Sequence, residues 1–249
     1  MLHRTWPAIA VALLFAGPLA RAGEGTEKGA ATPKDLMIAA GAALAKGDLT
    51  LVKGLICEKG STPEVVELYA NLLHVDFVFA SQKAEAVKVF GKDIAAAVDA
   101  AGGYLAKMHI DFAKLAEQGK LEKLESGETK FSYEDEKEDE GESYSVDVVE
   151  LDGRWYLDSQ LPKDPAEAKM MLDLVRAMVP ASQKLNAAIK AALPVEGGDP
   201  TQAEKFREVL KAAGEAFHAE LTKVGEPADE AKPKDGEAPP KDGAEPPKK

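Results

Sequence analysis

Two similar tetrapeptides place a histidine two residues before an aspartate. They are His74-Val75-Asp76-Phe77 and His109-Ile110-Asp111-Phe112, which begin 35 residues apart. Histidine with aspartate can form a metal site or a general acid/base pair. In a helix, His74 and Asp76 would point in nearly opposite directions, whereas in a strand they would share a face. The sequence leaves both conformations open for residues 74–79.

Asp76 is the acid that the helical interpretation turns inward. It falls within an apolar stripe made of Val65, Leu68, Tyr69, Leu72 and Phe79, while His74 faces away. A carboxylate in such a stripe must be paired or hydrogen-bonded. The catalytic candidates are therefore Asp76 as a general base, with Tyr69 or His109 as polar support. The plainer interpretation is a partly buried acid with ordinary partners beside exposed histidines.

A run of acidic residues offers the other candidate for ion binding. Residues 134–142 contain seven acids and one base, including Glu134, Asp135, Glu136, Glu138, Asp139 and Glu140. Carboxylate oxygens suit hard cations such as Ca²⁺, but the spacing does not match an EF-hand loop. The favoured interpretation is a solvated hairpin tip, and the sequence predicts neither a metal nor a cofactor.

The composition narrows the classes of protein to which the chain can belong. Of 249 residues, 45% are hydrophobic and the formal net charge is −12, which predicts a folded core and disfavours nucleic-acid binding. Residues 120–160 carry much of the acidity, with 14 acids and five bases. The single cysteine, Cys57, excludes an intramolecular disulfide and is expected to be buried.

The first 22 residues resemble a secretory signal peptide. His3 and Arg4 precede an apolar run from Ala8 to Ala16, and Ala20-Arg21-Ala22 offers a cleavage site before Gly23. The apolar run is too short to span a bilayer. We therefore expect an exported protein, periplasmic or extracellular, with no membrane span after cleavage.

The rest of the chain reads mostly as helix around a short strand region. Helix-start signals occur at Thr32-Pro33, Asp48, Thr62-Pro63, Ser81 and Asp93, and Gly102-Gly103 predicts a break before Gln118. Alternating apolar residues and an Asp152-Gly153 turn predict an antiparallel meander over about 120–160, with Trp155 in its core.

The C-terminal part predicts two further helices and a tail. One starts at Asp164-Pro165, with a kink expected at Pro180, and the other starts at Asp199-Pro200. Their apolar spacing predicts a helical hairpin over 161–224, with Met170, Met171 and Met178 as packing residues. Residues 225–249 contain six prolines and no aromatic or branched aliphatic residue, which predicts a disordered tail.

Two segments resemble secreted members of the NTF2-like (cystatin-like) superfamily. They are the Thr32-Pro33 helix that ends at Lys46-Gly47-Asp48, and the hairpin Val148-Val149-Glu150-Leu151-Asp152-Gly153-Arg154-Trp155-Tyr156-Leu157. The resemblance covers about residues 33–160. It implies an α+β cone in which helices pack into a curved antiparallel sheet. The superfamily includes dehydratases, isomerases and inert binding modules, so the resemblance does not select one activity.

Together these patterns predict a helix-rich α+β protein. After the signal peptide (1–22) and a flexible leader (23–31), we expect an α+β domain over 32–160, with the helical hairpin 161–224 packed on it. The predicted function is an exported, non-catalytic binding or interaction protein whose partner is a protein or a small apolar ligand. The alternatives are a lyase or isomerase that uses Asp76, and a structural homo-oligomer formed through the C-terminal helices.

Overall fold

The computed structural model describes residues 28–134, 143–159, 161–162, 164–194 and 199–225. The predicted signal peptide and tail lie outside these residues, apart from Gly225. The described chain forms two compact units, each built from two separate stretches. The first unit contains residues 28–61 and 112–158, and the second contains residues 62–111 and 159–225. Residues 62–111, which the sequence grouped with the strands, therefore share a unit with the C-terminal helices.

The predicted α+β class is confirmed. The helices are α1 (Pro33–Lys46), α2 (Leu49–Gly54), α3 (Pro63–Phe90), α4 (Ala95–Gly102), α5 (Tyr104–Met108), α6 (Phe112–Gln118), α7 (Pro165–Ala192) and α8 (Pro200–Gly225), with a short 3₁₀ turn at Lys92–Ile94. The strands are β1 (Lys120–Lys123), β2 (Thr129–Glu134), β3 (Ser143–Leu151) and β4 (Arg154–Leu157).

Local capping explains the helices of the first unit. The Thr32 side chain accepts a hydrogen bond from the Asp35 N–H and begins α1. Gly47 ends that helix in the left-handed conformation, with φ of 67°, and Asp48 then caps α2. α1 packs against α6 and β4, and α6 packs against β2.

The strands form one antiparallel sheet in the order β1-β2-β3-β4, as the predicted meander requires. Phe131 lies opposite Val146, and Val148 lies opposite Leu157; all four side chains are buried. The turn between β3 and β4 has positive φ at both Asp152 (51°) and Gly153 (74°), the combination found in tight type I′ hairpins. The hairpin turn predicted at Asp152-Gly153 is therefore confirmed.

The outer edge of β4 is covered by two non-strand segments. Ala30 and Trp155 exchange backbone hydrogen bonds of 2.9 and 2.8 Å, although Ala30 belongs to the predicted leader. The Leu157 N–H donates to the Leu55 carbonyl, and the Leu157 carbonyl accepts from the Cys57 N–H, both at 2.8 Å. Edge strands with unpaired backbone groups invite aggregation, so this cover protects β4.

The second unit is helical and has one continuous core. α3 and α8 both pack on α7, and α4 packs on α8. The core is made of Leu72, Val75, Phe79, Ala86, Ile94, Val98, Ala101, Leu105, Val175, Met178, Val179, Ala181, Leu185, Ile189, Phe206, Leu210 and Phe217. Thr62 and Asp164 cap α3 and α7 as their sequences predict. Asp199 and Gln202 form a reciprocal cap at the start of α8.

Several local predictions were wrong. Ser81 does not start a helix; it lies inside α3 and its hydroxyl donates to the Phe77 carbonyl at 2.8 Å. The helix predicted to run towards Gln118 has a second break, at residues 109–111. α7 runs across Pro180 as expected, and the kink predicted there stays a prediction. Trp155 is only half-buried.

The three methionines of α7 divide into two groups. Met178 is 1% exposed and packs in the core as predicted, whereas Met170 and Met171 are 68% and 39% exposed. The prediction that all three fill the core is therefore wrong for Met170 and Met171.

Candidate functional site

Asp76 lies in the middle of α3 and is 4% exposed, so the helical interpretation of residues 74–79 is confirmed and the strand alternative is wrong. Its neighbours in the stripe, Leu72 and Phe79, belong to the core of the helical unit. A buried carboxylate requires polar partners because leaving water costs a charged group several kcal/mol. Those partners come from the second tetrapeptide.

The break between α5 and α6 brings His109 to Asp76. α5 ends at Met108, and His109 leaves the helical conformation with φ of −51° and ψ of 130°. His109 Nδ1 then lies 3.3 Å from Asp76 Oδ2, and the Ile110 backbone N–H donates to the same oxygen at 3.3 Å. The carboxylate therefore holds both the imidazole and the backbone of the break.

The two tetrapeptides thus have different conformations, and the contact joins the aspartate of the first to the histidine of the second. Asp111 lies in the break and Phe112 begins α6. The sequence offered Tyr69 or His109 as the polar support of Asp76, and the structure brings His109 to it. No local pattern encodes a contact between residues 33 positions apart; the break at residue 109, which the sequence missed, makes it possible.

A carboxylate that holds the Nδ1 side of an imidazole fixes the ring orientation. When Nδ1 carries the proton, Nε2 is the basic nitrogen, an arrangement used in proton-accepting histidines. The His109 side chain is 29% exposed and the Asp76 side chain 6% exposed. This difference favours His109 as the group that would meet a substrate, with Asp76 as its support.

The other oxygen of the Asp76 carboxylate lies inside the helical unit. Asp76 Oδ1 is buried and has no hydrogen-bond partner among the described residues. Tyr69 lies on the same face of α3, two turns before Asp76, and is partly buried against the helical core. Two turns correspond to about 10 Å along the axis between the backbone positions of Tyr69 and Asp76.

His74 is not the exposed residue that the plainer interpretation predicted. It is half-buried, and its Nδ1 atom has no partner among the described residues. Burial lowers the pKa of His74 from its ordinary value because the charged form loses solvation. This shift favours a neutral imidazole in the folded protein.

The acidic run is almost wholly outside the described residues. Glu134 ends β2 as an exposed residue, while Asp135, Glu136, Glu138, Asp139 and Glu140 fall in the gap between β2 and β3. Within the part of the chain that the structure describes, no group of three or more histidine, cysteine or acidic side chains could hold a metal ion.

A polar group that the sequence did not single out lies on the sheet. Asp147 of β3 is half-buried opposite Lys130 of β2, and its Oδ1 has no hydrogen-bond partner among the described residues. Burial raises the pKa of Asp147; the positive charge of Lys130 opposes this increase, and the negative charges of Asp158 and Glu128 add to it. The sequence shows only that Asp147 is an acid within a strand. How far its carboxylate is removed from water depends on packing that the sequence does not show.

Cys57 is a buried free thiol, as predicted. Its Sγ lies 3.8 Å from the Lys59 carbonyl, and burial raises the pKa of the thiol. A raised thiol pKa lowers the population of the reactive thiolate, so Cys57 does not have the environment of a nucleophile.

No family model, curated protein or solved structure matches this chain. None of the described helices is both long enough and apolar enough to cross a membrane.

Proposed function

We propose that this chain is an exported, non-catalytic interaction protein that contacts a protein partner through the beginning of α7. The observation that carries the proposal is the exposure of Met170 and Met171 on a stretch of α7 that contributes nothing buried. α7 starts at Pro165, and its first buried residue is Val175. Its first ten residues therefore include no fully buried side chain, and Leu172 and Leu174 are half-buried.

Specific contacts stabilise this part of α7. Asp164 accepts hydrogen bonds from the Ala166 and Glu167 N–H groups at 2.8 and 3.0 Å. Arg176 reaches Glu64 of α3 at 2.6 Å and Asp173 of its own helix at 2.8 Å. An N-cap contributes about 1 kcal/mol, and exposed ion pairs contribute less. These contacts support a helix whose exposed methionines are available to a partner.

Methionine suits such a contact because its thioether is apolar, flexible and polarisable. A pair of exposed methionines on one helix is consistent with a small recognition surface. The predicted signal peptide supports export to a compartment where that partner would be met. The NTF2-like relationship and a small apolar ligand remain predictions, and the interaction proposed for α7 depends on neither.

The test is site-specific photo-crosslinking of the full chain in exporting cells. A photoreactive phenylalanine analogue replaces Met170, and the matched control carries it at Lys184, another exposed residue of α7. We expect an adduct of one discrete mass from position 170, absent from position 184 and strongly reduced by Met171→Glu. The N-terminus of the exported chain should be Gly23.

Equal adducts from positions 170 and 184, or none from either, would contradict an interaction through α7. An adduct of two copies of the chain would instead support the structural alternative, self-association through the C-terminal helices. A chain retained in the cytoplasm with its first residues intact would remove the export part of the proposal.

The Asp76–His109 contact favours a second candidate, an enzyme that uses a histidine base. This assignment exchanges the predicted roles, because His109 is the more exposed partner. p-Nitrophenyl acetate is a suitable probe, since a basic imidazole attacks or promotes hydrolysis of activated esters. A catalytic pair predicts faster hydrolysis by the wild type than by His109→Gln, and an intermediate rate for Asp76→Asn. Equal rates would count against this candidate.

A further inference from the structure

Besides Asp76 and Ser159, three further polar side chains of the helical unit are buried. Gln82 of α3 is 7% exposed, and Ser182 and Asn186 of α7 are 0% and 6% exposed. Leu185 and Ile189 of the same helix are core residues. Polar groups in such surroundings are almost always hydrogen-bonded, because an unpaired buried group loses its contacts with water and gains nothing in return.

The two amides use their N–H₂ groups to join α3 and α7. Gln82 Nε2 donates to the Asn186 carbonyl at 3.0 Å, and Asn186 Nδ2 donates to the Val75 carbonyl at 2.9 Å. Both acceptors are backbone carbonyls, and within a side-chain amide only the nitrogen can donate to them. These contacts therefore fix the orientation of each amide, and so identify which side-chain atom is its oxygen.

The remaining polar atoms are all oxygens. Gln82 Oε1, Asn186 Oδ1 and Ser182 Oγ are buried, with no hydrogen-bond partner in the described part of the chain. Ser182 and Asn186 are four residues apart on α7, which places their side chains on one face about 5–6 Å apart. Gln82 contacts Asn186 directly, so it brings the third oxygen to the same region.

We infer that these three oxygens bind one buried water molecule between α3 and α7. Water can donate one hydrogen bond to each amide oxygen, and its oxygen can accept a hydrogen bond from the Ser182 hydroxyl. Three hydrogen bonds are typical of an internal water. The ligand is not a metal ion, because three neutral oxygens do not offset the cost of moving a bare cation into an apolar core.

The bound water gives the polar cluster a structural purpose. Together with the two amide contacts, it joins α3 to α7 at one alignment of the helices. Sliding either helix by one turn would place the amides against apolar side chains, with their polar groups unpaired. The hydrated cluster therefore selects the register of the two helices, a role that buried polar residues also serve in coiled coils.

The test is NMR detection of the water in the full exported chain. The expected result is a cross-peak between water and the side-chain N–H₂ protons of Gln82 and Asn186, with the sign of a long-lived, rigidly held water. In Asn186→Leu, which removes one oxygen and fills space, the cross-peak at Gln82 should disappear.

Absence of any cross-peak at both amides in the wild type would overturn the inference. Persistence of the Gln82 cross-peak in a folded Asn186→Leu variant would also overturn it, because the water would then lie elsewhere. The wild-type measurement is decisive by itself if that variant does not fold. As a second variant, Ser182→Ala should lower the folding equilibrium constant about tenfold, the usual effect of losing one buried hydrogen bond. A value equal to that of the wild type would contradict the part assigned to Ser182.

Discussion

Gly103 lies against the imidazole ring of His218, at the joint between α4 and α5. His218 Nε2 is 3.3 Å from the Ala100 carbonyl oxygen, which belongs to the last turn of α4. A Cβ atom added to Gly103 would clash with His218 Cε1. Gly103 also has φ of 52° and ψ of −110°, a backbone conformation that side-chain-bearing residues avoid. The backbone conformation favours glycine here, and a side chain would in addition displace the exposed His218 ring.

Replacing Gly103 by alanine should destabilise the protein by about 3 kcal/mol, because backbone strain and a clash with His218 act together. Urea unfolding of the full chain measures the change. Gly91→Ala is the matched control, since Gly91 has φ of 89° and a Cβ there would meet nothing within 4 Å. The control should lose only about 1–2 kcal/mol. Equal losses in both variants would show that the ring contact contributes nothing.

Asp76→Ala should lower the free energy of unfolding by about 2–3 kcal/mol, because the Ile110 N–H loses its acceptor and His109 loses its carboxylate. The local readout is hydrogen exchange of the Ile110 amide, which should become faster than in the wild type. Asp76→Asn is the conservative control, since its oxygen can still accept from Ile110. Unchanged exchange at Ile110 in the alanine variant would contradict the proposed contact.

Asp147→Asn should stabilise the protein at pH 7 by less than about 1 kcal/mol, because a half-buried carboxylate is partly screened by solvent. Burial raises the pKa of Asp147 above its ordinary 3.8, so the folded state holds this proton more tightly than the unfolded state. The cost of ionisation is absent below 3.8 and is complete once the pH exceeds the folded pKa. Urea unfolding at pH 3 and pH 7 should therefore show a gain only at pH 7.

His74→Gln should reduce the loss of stability on mild acidification. Burial lowers the pKa of His74 below its ordinary 6.5, so the unfolded state binds the proton more readily. Stability from this group is complete above pH 6.5 and falls as the pH decreases towards the folded pKa. Unfolding free energies measured between pH 8 and pH 5 should change less in the variant. Parallel profiles for the two proteins would refute the assignment.

Local chemistry made much of the secondary structure predictable. Thr32, Thr62 and Asp164 begin helices because their side chains satisfy backbone N–H groups at a helix start, a contact that needs no distant residue. The same rule wrongly predicted a helix start at Ser81, because the Ser81 hydroxyl donates to the Phe77 carbonyl in the preceding turn of α3 instead. The sequence alone does not distinguish a serine that caps a helix from a serine inside one.

Distant contacts were not predictable in the same way. Asp76 was correctly assigned to the buried face, because helical periodicity determines that face. The choice between Tyr69 and His109 as its polar support could not be made, because the backbone at His109 leaves the helix where the apolar stripe continues from Leu105 to Phe112. The grouping of residues 62–111 with α7 and α8 was missed for a similar reason: each amphipathic stripe shows that a helix buries one face, without showing against which helix.

The interleaved arrangement of the two units along the chain has a consequence for synthesis. Because the chain emerges from its N-terminus, α3 and α4 are made long before α7 and α8, whose side chains complete their core. The first unit must likewise wait for β3 and β4 after α1 has formed. Nascent chains of intermediate length therefore expose apolar helix faces with no native cover, a state that favours aggregation. A chaperone that holds the chain until residue 217 has emerged would benefit both units at once.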